Sequence, residues 1–149
     1  MSATVAALKS LFELSIDRLA EEIQLYKKES QLWDTQEGIS NSAGNLTLHL
    51  CGNLQHFFGA VISQDGYVRD REGEFSRRNV PRTELLSEIA RAKSVVLTAL
   101  DTLDEKSLAE TYPLEVFGSP MTCAYFLTRL YSHIEYHLGQ INYLRRLIG

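Results

Sequence analysis

The 149-residue chain has only two cysteines, three prolines and one tryptophan, and no long uninterrupted apolar run. Each scarcity excludes something. Cys51 and Cys123 stand far apart and in no Cys-x-x-Cys spacing, so neither a disulfide framework nor a thiolate zinc site is expected, and free thiols packed as small hydrophobes are. Charge interrupts every apolar stretch well before the roughly 20 residues that a membrane-spanning helix requires. The opening segment MSATVAALKSLFELSIDRL has no basic leader, and Glu13 and Asp17 fall where a signal peptide needs its apolar core, so a cytoplasmic location is expected. A net charge of -4 without a Lys/Arg face argues against a nucleic-acid partner, which would have to be held through its phosphates. Arg69, Arg71, Arg77, Arg78 and Arg82 do gather in one stretch, but Asp70, Glu72 and Glu74 are interleaved with them, and the stretch reads as solvated. Familiar catalytic signatures are missing too: there is no His-Glu-x-x-His helix, no phosphate-cradling glycine loop, no Gly-x-Ser-x-Gly turn and no repeated Glu-x-x-His pair of the di-iron bundles.

What is present is helical periodicity in four segments, with no strand alternation. From about Thr4 to Lys28, Val5, Leu8, Phe12, Ile16, Leu19, Ile23 and Tyr26 recur at three- and four-residue spacing. A second helix is expected from Ser42 to about Ser63, capped by Asn41 or Ser42. Pro81, Thr83 and Glu84 open a third, with Leu85, Ile89, Ala92, Val96, Leu100 and Leu103 as its stripe. The break TYPLEVFGSP allows a short extended piece at Leu114–Phe117, and the fourth helix is expected from Ser119, with Pro120 in its first turn, to about Leu147. Four amphipathic helices bury their stripes only against one another. The fold class is therefore all-α, a four-helix bundle with a long connection between the second and third helices, formed by one domain over 1–149.

Two histidines interrupt the last stripe. His133 and His137 lie four residues apart, so both imidazoles project from one helix face, and both fall on the row Phe126, Leu130, His133, His137, Ile141, Leu144, Ile148 that the bundle should bury. An unpartnered imidazole in a core costs about 1–3 kcal/mol, and two of them facing one point would have to avoid protonating together. A divalent metal resolves both problems. It demands a third ligand from another helix, and the second helix offers His49 or His56, two turns apart and so not both available to one ion. The more apolar surroundings of His49, NLTLHL, favour it. Three neutral imidazoles with open positions suit zinc, nickel or ferrous iron. Glu135 points about 200° away from His133 around the helix and cannot act as a base there. Cys51, two residues from His49, is likewise turned away and reads as packing. Asn53, one turn beyond His49, and Gln140, beside His137, are placed to orient a ligand or cofactor. Tyr26 and Trp33 read as core or rim packing rather than as substrate contacts.

HLCGN on the second helix, RRNVPRTELL leading into the third and the closing HIEYHLGQINYLRRL together resemble the DinB/YfiT-like superfamily of bacterial four-helix bundles, over nearly the whole chain. The resemblance implies a homodimer that holds one divalent ion, zinc or nickel before iron, through His49, His133 and His137. It also implies a metal-dependent transferase or isomerase acting on a small-molecule thiol such as bacillithiol, mycothiol or glutathione and on an electrophile, with the metal activating the thiol. Leu138 departs from the pattern, because members often carry a further histidine next to the glycine. The alternative function is a non-catalytic bundle that binds a metal or small ligand and acts through dimerisation.

Overall fold

The computed structural model describes residues 1–149 and contains six α-helices and no strand. Helices α1 (Ala3–Leu25), α2 (Ala43–Leu54), α4 (Arg82–Asp101) and α6 (Cys123–Ile148) form the bundle, and α3 (Arg71–Ser76) and α5 (Glu105–Ala109) are short. α1 and α2 each pack against both α4 and α6. The expected stripe of α1 is buried at all seven positions, from Val5 to Tyr26. On α4, Leu85, Ile89, Ala92, Val96 and Leu100 are buried, and Leu103, two residues past its end, is half-buried. No helix is long and apolar enough to cross a membrane.

Ser42, not Asn41, caps α2: its hydroxyl oxygen accepts from the Asn45 N–H at 3.2 Å. Beyond Leu54 the helix continues to Ser63 in wider π-type turns, which bury the adjacent Phe57 and Phe58 together. Phe58 meets Phe12 edge-on at 5.1 Å, and Phe57 meets Phe126 in the same way at 5.0 Å.

The structure moves two expected boundaries and replaces one expected element. α1 stops at Leu25 rather than near Lys28, because the Tyr26 carbonyl accepts from the Arg82 guanidinium at 2.6 Å and the Tyr26 hydroxyl donates to the Ile141 carbonyl at 2.8 Å. Both bonds draw that residue off the helix axis. α6 begins at Cys123 with Thr122 as its cap, not at Ser119, and its hydroxyl oxygen accepts from the Tyr125 N–H at 3.1 Å. Upstream, Tyr112 N–H bonds to the Met121 carbonyl and Cys123 N–H to the Glu110 carbonyl, each at 2.8 Å, which holds the chain extended up to Thr122. The expected extended piece at Leu114–Phe117 is a turn region instead, and the one β-bridge, Thr111 to Thr122, joins the two ends of this loop.

A fourth difference bears on function. Every residue of α2 from Ala43 to Leu54 is buried, its outer face included. The stretch that reads as solvated covers it: Asn45 donates through Nδ2 to the carbonyls of Glu74 and Arg77, both at 2.9 Å, and so fastens α3 across α2. Glu74 is only 6% exposed as a result.

Candidate metal centre

His49 comes from the middle of α2 and His133 and His137 from successive turns of α6, where these helices pack together. His49 Nε2 and His137 Nε2 each lie 3.1 Å from His133 Nε2. The three rings stand almost perpendicular to one another, with interplanar angles of 84°, 90° and 88°, so that their edges meet at one point. His56 is elsewhere, packed on the Phe57 ring. The choice between the two α2 histidines thus falls to His49 on geometry.

The protonation of the outer nitrogens defines what the cluster can bind. Glu74 Oε1 lies 3.0 Å from His49 Nδ1, and a carboxylate only accepts, so Nδ1 carries the proton and Nε2 presents a lone pair. Gln140 Oε1 accepts from His137 Nδ1 at 2.7 Å, with the same consequence. Two lone pairs therefore converge on His133 Nε2. One proton on that atom cannot satisfy both at full strength, and without it three lone pairs face one another. A cation relieves the conflict either way. Nitrogens in a tetrahedral zinc site are about 3.3 Å apart, close to the observed spacing. The three histidines can hold a metal ion: their ligand atoms all lie within 4.8 Å of one another.

The electrostatics point in the same direction. Burial, reinforced by His137, His49 and Arg69, pushes the His133 pKa down to about 4, and burial lowers that of His137 as well. Both rings are neutral at pH 7, as metal ligands must be. Burial alone would raise the Glu74 carboxyl, but hydrogen bonds from His49 and Arg69 outweigh it and hold the group below the usual carboxylate range. Arg69 grips Glu74 bidentately, with Nε 2.8 Å from Oε2 and Nη2 2.9 Å from Oε1.

The α6 histidines are not at the centre of the buried stripe, as the sequence pattern suggests, but at its edge and half-buried. Ile134 and Leu138 occupy the centre with Leu127, Leu130, Ile141 and Leu144. That rotation leaves a cavity of about 500 Å³ beside His49 and His133, with Asn53 in its wall. A larger space of about 1100 Å³ runs between the outer surfaces of α1 and α6 and reaches only the His137 side of the cluster. Gln140 is hydrogen-bonded to His137, whereas Asn53 makes no hydrogen bond to any of the three imidazoles. Glu135 is bonded to Ser15 of α1, and Cys51 is buried, its thiol pushed up by that burial. Trp33 packs over Gly44 and does not line the smaller cavity.

Glu74 and Arg69 are the site residues that sequence reasoning misses. The available signal is Gly52, one turn after His49 within HLCGN: a Cβ there would come within 1.9 Å of Glu74 Oε2. A glycine inside a helix, next to a suspected ligand, marks a close approach by another group.

Fold and site together define a helical bundle that gathers three imidazoles beside an open cavity. Residues 1–149 match the family described as "Protein of unknown function (DUF1572)", and the chain belongs to that family. Its fold is shared with a crystal structure described as a conserved protein of locus from Enterococcus faecalis, at a TM-score of 0.78 and 17% identity, over 99% of this chain and 97% of the other. No curated protein matches it in sequence.

Proposed function

We infer that the chain is a divalent-metal-dependent enzyme of the DinB/YfiT-like kind, with His49, His133 and His137 as ligands and zinc or nickel as the ion. The observation that carries this reading is the convergence of the His49 and His137 lone pairs on His133 Nε2. A bound divalent ion with an open position would act as a Lewis acid and lower the pKa of a thiol. The protein's own residues do the rest. Glu74 and Gln140 fix the tautomers of His49 and His137, and Arg69 keeps Glu74 ionised. Phe57, Phe126 and Leu130 form an apolar wall beside the imidazoles that limits water around a bound substrate. Cys51, Glu135 and the larger cavity contribute no nucleophile or base to this point, which favours a reaction in which substrate supplies the nucleophile. Thiol S-transfer from a small-molecule thiol to an electrophile is such a reaction. The resemblance of HLCGN and HIEYHLGQINYLRRL to DinB/YfiT-like proteins supports it.

We extend the reading to a homodimer in the cytoplasm. Leu11 and Leu14 on α1 and Tyr136, Tyr143 and Leu147 on α6 are between 40% and 66% exposed, an apolar strip of the kind that a second copy covers. Metal analysis of untagged protein, followed by calorimetric titration with zinc and nickel, tests the centre. The wild type is expected to bind one ion per chain, and His133→Ala to keep its helical circular dichroism while losing that uptake. Equal uptake by both proteins, or by neither, refutes the reading. Sedimentation measures the dimer independently.

A further inference from the structure

The 500 Å³ cavity carries positive charge that the imidazoles do not account for. Arg71, the first residue of α3, and Arg129 of α6 both line it, and neither is paired with a carboxylate. Arg129 lies over the Phe117 ring at 4.5 Å and donates through Nη1 to the Tyr125 hydroxyl at 3.1 Å, which leaves its other donors open. Arg71 is held only near the Phe75 ring, at 5.9 Å. Arg69 differs from both, because Glu74 occupies its fork.

Asn53 lines the same cavity. Phe126 and Phe117 supply apolar surface beside the arginines. The volume falls in the range of small-molecule sites.

We propose that this cavity binds a small organic anion, with its carboxylate or phosphate met by Arg71 and Arg129 and its apolar body on Phe117 and Phe126. Guanidinium forks match both headgroups. That the anion is a substrate rests on the metal-dependent reading above; that it binds does not.

Calorimetric titration of the full chain, metal-free in EDTA and separately zinc-loaded, with phenylacetate, phenyl phosphate and neutral 2-phenylethanol tests this. In both forms at least one anion is expected to bind about tenfold more tightly than the alcohol, the effect of one charge-assisted hydrogen bond. The stronger of the two identifies the headgroup. Arg71 and Arg129 are exposed, so Arg71→Gln/Arg129→Gln should fold normally, and it should lose that preference while zinc uptake stays at the wild-type level. Equal affinity for anion and alcohol overturns the proposal. So does anion binding that the double variant retains, since the anion would then be held by the metal or elsewhere. Anion binding that needs both arginines in a chain that takes up no zinc would instead sink the metal-dependent reading and leave this one standing.

Discussion

Replacing Gly52 by alanine sets two physical effects of opposite sign against each other. In the interior of α2, alanine is favoured over glycine by about 1 kcal/mol, so helix propensity alone predicts a more stable protein. The tertiary structure predicts the reverse. The new Cβ would stand 1.9 Å from Glu74 Oε2, 2.6 Å from Cδ and 3.3 Å from Cγ, so the carboxylate must retreat by roughly 1.5 Å to reach ordinary contact. A free glutamate would swing aside at little cost. This one is 6% exposed and bonded to His49 at 3.0 Å and to Arg69 at 2.8 and 2.9 Å, and a retreat of that size breaks some or all of these bonds. Disrupting a buried ion pair costs about 3–5 kcal/mol. The balance is a loss of about 2–4 kcal/mol, or a fall in Tm of roughly 5–15 °C for a chain of this size. Gly139→Ala is the control: nothing lies within 4 Å of its added Cβ on α6, so it should gain the propensity term alone. Urea unfolding of the three proteins in EDTA measures all of this. Should Gly52→Ala prove as stable as the wild type, Glu74 does not sit against α2 and the account of the site fails. In the metal-bound protein the same substitution should weaken zinc binding about 10–100-fold, because His49 loses the group that orients it.

Acid sensitivity follows from His133. Its pKa falls from 6.5 to about 4 on folding, so below pH 6.5 the unfolded chain takes up a proton that the folded chain refuses. Stability should therefore drop as pH falls through this window, by up to about 3 kcal/mol from this residue, and level off below pH 4. Burial lowers His137 in the same sense, and the stability contributed by the ionised Glu74 is lost as pH falls below 4.5. Between pH 7 and pH 4.5 the urea midpoint of the metal-free wild type should fall more steeply than that of His133→Leu, which lacks this proton linkage; parallel curves would contradict the assignment. Asn45→Ala leaves the Glu74 carbonyl without its side-chain donor, at about 1–3 kcal/mol, while the Arg77 carbonyl keeps Arg78 Nη1, and should release α3 before the rest of the bundle. Hydrogen exchange should then accelerate first across residues 71–78, and a uniform change along the chain would refute the fastening role.

The amino-acid pattern determined the bundle by itself. Val5 to Tyr26 and Leu85 to Leu100 repeat at helical spacing, and such stripes are local: each is read from neighbours in the chain and satisfied by any apolar partner face. The same spacing brought His133 and His137 to one side of α6, and composition singled out His49. Tertiary structure decided the remainder. Which side of α6 meets the core centre depends on how Ile134 and Leu138 seat against α2, and that rotation turned the histidines to the edge and opened the cavity beside them. Glu74 and Arg69 carry no periodic mark, because a buried ion pair between a loop and a short helix is specified by where α3 lands across α2. Pairing across space leaves its trace only in permissive residues such as Gly52 and Asn45, whose purpose becomes legible once the facing groups are known.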